Sequence, residues 1–569
     1  MKINLFLILS LILFVACEQP NNELSLNGEW EFFASNEMAE EHVVNEAELP
    51  WDTLTVPGNW DTSEKYAEYS GKGYYKRVFK VPANWKGSQV RLKFDAVYET
   101  SKVWLNGQLL GKHIGGYTPF EFNITSKVKP GREYELLVMA DNTYKRGAWW
   151  GWGGISRNVK LIRNEDVRMV YQHISALPNF DKRTVDFEIK YKLENNAPTA
   201  KKLSIVSEII GENGTVVTKT AELNLSANST TVHSIKFTEN LSSFLLWHFN
   251  TPNLYTLNSV VQIQEQSVDS KTDKFGIRKL EARGEQLYLN DKAVYMNGFN
   301  RVHDHPDYGN TEPDELVQKD IMDMKTLGAV FSRLMHAPQA KNLLEFCDSV
   351  GYLIIEEIPV WGHDDPQAFK DNPLTKQWLK EMIERDFNHA CVVGWSVGNE
   401  LRDSSTNWDE IKLSPNQYEY INSMLDFIDE LDTTRLKTYV SLTSYKRNAS
   451  LNNEPFEKLD ILCLNSYGDA IKAVQNTHAK FPGKPIFVSE IGQGQIGPAP
   501  EGKLSQKLVD QLEGLKEIPY VVGSAVWSYN DYRSNYKGTP ESGFREWGVV
   551  DEKRNRKMAW DQIKKIYSN

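Results

Sequence analysis

Two apolar runs of this chain end on carboxylates. "CVVGWSVGNE", residues 391–400, reads as a buried strand until it meets Gly398, Asn399 and Glu400, and "KPIFVSEIG" later repeats the arrangement and delivers Glu490. A core strand gains nothing by ending this way, because an ionised or amide group resists leaving water unless it is paired. If the two strand ends meet in space, they hold a pair of carboxylates across one bond to be cut, an arrangement suited to general acid–base work.

The elements around them must do the positioning. From about residue 276, short apolar runs alternate with helix-like stretches: "AVYMNGFN", "AVFSRLM", "YLIIEEIP", "VVGWSVGN", "KTYVSL", "ILCLNSY", "PIFVSEIG" and "SAVWSY", with segments such as "SPNQYEYINSMLDFIDELD" between them. Eight such units in residues 276–569 predict a (β/α)8 TIM barrel, whose active sites lie where the strands end. Those ends are polar or aromatic: Asn300 and Arg301, Arg333 and His336, Glu357, Asn399 and Glu400, Asn465 and Tyr467, Glu490, Trp527 and Asp531. Upstream, residues 24–165 alternate in the period-two manner of strands and predict a jelly-roll β-sandwich, with "LNGQ" as a hairpin turn. Residues 166–275 read as an immunoglobulin-like β-sandwich without an internal cysteine pair. "WWGWGG" at 149–154 is read as an aromatic cluster at a domain interface.

The 569 residues exceed a single core, so several domains are expected. The net charge of −11 disfavours nucleic acid, which demands basic patches. Met1-Lys2, the apolar run "INLFLILSLILFVA" and Cys17 read as an export signal over residues 1–17. "FVAC" is similar to a bacterial lipobox, so Cys17 is expected to carry a lipid that is the only membrane attachment. The expected location is the periplasm or the outer membrane and cell surface. Cys347, Cys391 and Cys463 are too widely spaced for a disulfide framework or a metal cluster and are read as core residues.

Taken in order, "LNGEWEF", "VPGNW", "VWLNGQLLGKHIGGYTPFEFNIT", "GWGGISRNV", "FGIRKLEARGEQLYLNDKAVYMNGFNRVHDHPDYG", "SRLMHAP", "DSVGYLIIEEIP", "WSVGNE" and "VSEIG" resemble glycoside hydrolase family 2, the family of β-galactosidases, β-glucuronidases and β-mannosidases. The resemblance implies a retaining exo-β-glycosidase acting on a carbohydrate, with Glu400 as acid/base and Glu490 as nucleophile. Retaining hydrolysis needs the two carboxyl groups only about 5–5.5 Å apart, so one is expected to be held protonated, and that one is Glu400. Asn399 resembles the amide that binds the sugar 2-hydroxyl. Arg333 is expected behind Glu490, His305, His336 and Tyr467 along the sugar pocket, and Trp527 beneath the ring.

The sugar is read from a loop. β-Glucuronidases of this family carry Asn-x-Lys for the substrate carboxylate, and "SNYKG" offers Asn535 and Lys537, with Arg533 and Arg545 as other cations for an acid. This favours a β-glucuronidase, with β-galactosidase as the alternative. No cofactor is expected. His303 in "NRVHDHP" stands where large β-galactosidases place a magnesium-binding Glu, so no metal is expected either. A reading of another class is an inactive glycan-binding surface lipoprotein; the presence of both carboxylates argues against it.

Overall fold

A computed structural model describes residues 22–45, 48–364 and 372–568. The export segment with Cys17 lies outside the described residues.

The chain folds as two β-sandwiches followed by a closed barrel. The first sandwich packs a six-stranded sheet on a four-stranded one around Trp30, Phe32, Trp60, Tyr75, Phe94 and Val138. The second packs a three-stranded on a four-stranded sheet around Phe187, Ile189, Tyr191, Leu203 and Leu257. Its strand Thr184–Asn195 buries every second side chain, the mark of a sheet with one face in the core.

The barrel strands are β1 (Met296–Asn300), β2 (Phe331–Leu334), β3 (Leu353–Glu357), β4 (Val392–Asn399), β5 (Leu436–Ser441), β6 (Leu462–Ser466), β7 (Ile486–Ile491) and β8 (Val521–Trp527). They close as a ring of parallel neighbours, with β1 paired to both β2 and β8. β4 is buried at all eight positions, because helices cover the outside and side chains fill the inside.

Local chemistry starts the helices between the strands. Asn372 caps the one at Pro373–Asp386, and Ser414 and Gln417 form a reciprocal capping box on Pro415–Leu431. Asp469 caps Ala470–Lys480, and Ser505 caps Gln506–Lys516.

Both sandwiches are tied to the barrel through buried indoles. Trp152 Nε1 donates to Asp304 Oδ2 at 2.8 Å, Trp378 Nε1 to the Ile114 carbonyl at 2.8 Å, and Trp247 Nε1 to the Asp348 carbonyl at 2.9 Å. No described helix is long and apolar enough to cross a membrane.

Candidate active site

Arg333 at the end of β2 organises the barrel mouth. Its guanidinium is 1% exposed. Nη1 donates to Glu490 Oε1 at 2.7 Å and to Asn300 Oδ1 at 3.2 Å. Nη2 donates to Asn399 Oδ1 and to Glu357 Oε1, both at 2.8 Å. Glu357 also accepts from the His336 backbone N–H at 2.9 Å and from Ser396 Oγ at 2.7 Å. Burial alone would raise the Glu357 carboxyl; the Arg333 charge beside it overrides this and holds it down at about 2. Glu357 is therefore a fixed anion that locks Arg333 in place.

The two carboxylates of the sequence motifs sit on either side of this network. Glu490 uses both oxygens, Oε1 on Arg333 and Oε2 on the Tyr467 hydroxyl. Burial, and then the neighbouring Glu490 charge, push the Tyr467 hydroxyl well above its usual range, so it remains a donor. Glu400 Oε1 accepts from Asn465 Nδ2 at 2.9 Å, and the same amide donates to Asn399 Oδ1 at 3.0 Å. Glu400, Asn465, Asn399, Arg333 and Glu490 thus form one continuous hydrogen-bonded chain.

Burial raises both carboxyls above the ordinary Glu value, where the sequence reading expects only one raised. On Glu490 the Arg333 charge pulls back against burial, while the charge of Glu400 pushes further up. Among the described residues the Glu400 carboxyl has only an amide in direct contact, with Arg402 at 3.9 Å. The Arg333 guanidinium and the Tyr467 hydroxyl on Glu490 both favour its ionised form, and Glu400 Oε2 accepts no hydrogen bond from any described residue.

Asn399 has its carbonyl oxygen occupied by the Arg333 and Asn465 donors, which turns its Nδ2 outward, 3.5 Å from His336 Nε2. Aromatic rings enclose the space before it. His336 is sandwiched among Trp149 at 5.1 Å, Trp361 at 6.0 Å and Trp527 at 6.2 Å between centroids. Trp527 Nε1 donates to the Tyr532 hydroxyl at 3.1 Å, and Tyr467 meets the edge of Trp547.

The structure brings Glu400, Glu490, Asn399, Arg333, His336, Tyr467 and Trp527 together. Among the described contacts His305, Asn535 and Lys537 share no hydrogen bond or ring contact with these residues, although Tyr536, between Asn535 and Lys537, sets its ring 5.4 Å from that of Trp361. His305 folds back on its own loop, pairing with Gly309 and packing on Tyr308. Asn535 and Lys537 are exposed on a hairpin between the short strands Tyr532–Arg533 and Phe544–Arg545. Asn535 faces a cavity with Trp150 and Trp152, and Lys537 pairs with no described carboxylate. Arg533 is spent on Glu68 and the face of Trp150.

Arg545 is different. It is 8% exposed, lies over the rings of Tyr536 and Trp547, donates to the Lys537 carbonyl at 2.8 Å, and has no carboxylate within salt-bridge distance among the described residues. Its charge also acts on the Tyr532 hydroxyl.

The aromatic cluster of the first sandwich divides. Trp152 serves the interface through Asp304 and Trp150 through the Arg533 carbonyl, as read from the sequence, while the Trp150 indole holds Asp61 of its own sandwich. Trp149 enters the site itself. His303 lies between Tyr117 and Trp149, with neither ring nitrogen hydrogen-bonded to any described residue, and burial lowers it to about 4. Its ring is neutral near pH 7. Asn300, Glu357, Asn465, Trp149, Trp361, Tyr532, Trp547 and Arg545 complete the site beyond the residues singled out by motif. The strand-end positions of Asn300, Glu357 and Asn465, the aromatic run that holds Trp149 and the cation Arg545 were the sequence signals among them.

Comparison with known proteins adds three family models. "Glycosyl hydrolases family 2, TIM barrel domain" matches residues 280–569, "Glycosyl hydrolases family 2, sugar binding domain" matches 64–165, and "Glycosyl hydrolases family 2" matches 170–278. A β-galactosidase of Thermoanaerobacter pseudethanolicus is 30% identical over 68% of this chain and 50% of its own length. A β-glucuronidase of Streptococcus agalactiae is 24% identical over 97% of both chains. The chain spans only 50–59% of several curated relatives, among them a β-galactosidase of Bacteroides ovatus. Among solved structures, Bacteroides uniformis β-glucuronidase 2 covalently bound to cyclophellitol-6-carboxylate aziridine superposes with a TM-score of 0.83 at 25% identity, covering 95% of this chain and 69% of that one. The fold is shared with a β-galacturonidase of Eisenbergiella tayi, with a TM-score of 0.82 at 22% identity over 96% and 97% of the two chains.

Proposed function

The chain belongs to glycosyl hydrolase family 2, and on that premise we propose that it is a retaining exo-β-glycosidase that removes terminal β-linked uronic acid residues from saccharides. The observation that carries the reading is the hydrogen-bonded chain joining Glu400 to Glu490 through Asn465, Asn399 and Arg333.

In this mechanism Glu490, an anion on Arg333, attacks the anomeric carbon while Glu400 gives its proton to the departing oxygen. The glycosyl ester consumes the Glu490 charge. Glu400, no longer facing an anion, is then a stronger acid and remains ionised, so it draws a proton from the incoming water. Asn399 Nδ2 holds a sugar hydroxyl, a contact that tightens as positive charge develops on the ring. Trp527 and His336 line the sugar's apolar faces.

Two features support the uronic acid. Arg545 is a buried cation with no carboxylate of its own among the described residues, one side chain from Trp527 through Tyr532. A relative of the same architecture is covalently bound to a carboxylate-bearing aziridine. Arg545 takes the role first given to Lys537. Export and lipid attachment at Cys17 belong to this proposal and fit an enzyme that meets polymeric substrate outside the cell.

The test is exposure to cyclophellitol-6-carboxylate aziridine followed by peptide mass spectrometry, alongside a panel of p-nitrophenyl β-glycosides. The expected result is one adduct, on Glu490, and turnover of a β-uronide above the β-galactoside. An adduct elsewhere removes the nucleophile assignment, and galactoside preference replaces the uronide by the galactoside.

A further inference from the structure

Beside Glu400 the barrel mouth opens into a cleft of about 1000 Å3 that Glu490 does not line. Its walls are the loops after β4, β5 and β6: Trp408, Leu442 with Tyr445 to Arg447, and Tyr467 onward to the helix Ala470–Lys480. A general acid protonates the oxygen that leaves, so whatever lies on its far side from the nucleophile is the leaving group. The cleft's position relative to the two carboxyls therefore assigns it a direction.

Its lining has a particular chemistry. Trp408 is 54% exposed, an unusual state for so large an apolar ring. Lys446 lays its ammonium 4.3 Å from the Trp408 ring centroid and 4.9 Å from that of Tyr445. Its side chain is 6% exposed, yet it meets no carboxylate within salt-bridge distance among the described residues. Burial weakens its hold on its proton, and Asp409 in part restores it. The Asp469 carboxylate caps its helix on the Lys472 N–H, while Asp409 and Glu410 are exposed at the rim. Arg447, Lys472 and Lys480 add further cations to the same walls.

We propose that this cleft is a leaving-group subsite for a saccharide residue bearing an anionic substituent, with Trp408 stacking on its ring and the Lys446 ammonium pairing with its carboxylate or sulfate. The proposal rests on the glycosidase reading above and extends it to the sugar on the other side of the bond. The Lys446 ammonium is covered by two rings, has no carboxylate within salt-bridge distance among the described residues and feels only the exposed Asp409, so an anion delivered by the substrate strengthens its pairing on binding. Lys446 and Trp408 are specificity-determining residues here; neither touches the reacting atoms.

The experiment measures kcat/KM on four substrates sharing one terminal sugar: a p-nitrophenyl glycoside, a neutral disaccharide, a disaccharide with a uronic acid on the leaving side, and one with a sulfated sugar there. Wild type should favour an anionic disaccharide over the neutral one, the two anionic arms telling carboxylate from sulfate. Lys446→Met should lower kcat/KM on the preferred anionic disaccharide by roughly 10–100-fold, the worth of a charged hydrogen bond, and several times more than on the aryl glycoside. Lys446→Arg should recover most of the loss. Trp408→Ala, at an exposed position where folding is not at stake, should weaken all three disaccharides. Equal turnover of neutral and anionic disaccharides, or equal losses for Lys446→Met on every substrate, overturns the subsite while aryl glycoside cleavage leaves the glycosidase standing. An enzyme that cleaves no glycoside of the panel overturns both.

Discussion

At the residue scale, the proposed preference for a uronic acid turns on cations. Lys537 fits a sequence pattern, yet it sits exposed on a hairpin tip with no described carboxylate partner, whereas Arg545 is buried against Tyr536 and Trp547 at the edge of the site. Arg545→Gln should cut kcat/KM on p-nitrophenyl β-glucuronide by roughly 10–100-fold, as expected for losing one charged hydrogen bond in a desolvated place. Lys537→Ala should change it by less than about threefold. Steady-state kinetics on matched glucuronide and galactoside substrates reads both; an equal loss on the two sugars for Arg545→Gln would make it a structural brace. Glu454 poses a different residue-scale question. It is buried against the Thr443 and Ser441 hydroxyls, and burial, only partly offset by those hydroxyls, raises it to about 7. Because the folded carboxyl binds its proton more tightly than the unfolded one, its stabilising contribution is full below about pH 4.5 and is lost as pH rises through 7. Glu454→Gln should remove that slope. Between pH 5 and pH 8 wild type should lose up to roughly 3 kcal/mol relative to the variant, checked by denaturant midpoints at both values.

At the element scale, the strands that carry the site are irregular where it matters. The pairing register shifts between Ser396 and Asn399 on β4, between Leu464 and Asn465 on β6, and between Val488 and Ile491 on β7, so each break falls beside a residue of the hydrogen-bonded chain. Such bulges re-aim side chains that a regular strand would point elsewhere. Gly398 sits in one of them with φ +152°, and a Cβ there would meet the Val360 carbonyl at 3.2 Å. Glu400 follows at φ 53°, a left-handed conformation that costs a non-glycine residue about 1 kcal/mol or more. Gly398→Ala should therefore displace Asn399 and Glu400 together. Activity should fall by roughly 100-fold, as for an ångström-scale misplacement, with a stability loss of only about 1–3 kcal/mol. Parallel rate and melting measurements check this; loss of both in proportion would mean simple unfolding. These elements also set what was legible in the sequence. Barrel strands announce themselves as apolar runs ending in polar residues, which is why Asn399, Glu400 and Glu490 could be found by position. Trp149, Trp361 and Arg545 come from loops without periodicity, and only tertiary packing brings them to the mouth. His305 and Lys537 also lie on loops, and a loop's composition does not say which way its side chains turn.

At the scale of the whole molecule, the first sandwich is part of the site. Trp149 is 4% exposed, stacks on His336 at 5.1 Å and meets His303 edge-on at 5.5 Å, though it belongs to a different domain from both. The neighbouring contacts keep it there: Trp150 on Asp61, Trp152 on Asp304, and the Trp150 backbone N–H on the Arg533 carbonyl at 2.8 Å. His336 is otherwise held by Glu357 on its Nδ1 and by the rings of Trp361 and Trp527. The sandwich ring thus closes the wall of the sugar site and fixes the imidazole that faces Asn399. Trp149 lies outside the core cluster of its own sandwich and packs with Val302, Met335, Trp527 and Tyr532 of the barrel. Trp149→Ala should leave the sandwich folded and cost the barrel mouth its wall. A drop of roughly 10–100-fold in kcat/KM is expected, comparable to a small misplacement of a substrate-positioning group. The destabilisation should be at most about 3–5 kcal/mol, the range for a large buried aromatic. Kinetics on an aryl glycoside, paired with thermal melts that resolve each domain, makes the comparison. Unchanged kinetics would reduce the sandwich to a support for the barrel, while a kinetic loss with intact domain melts would show that the catalytic pocket is assembled from two domains.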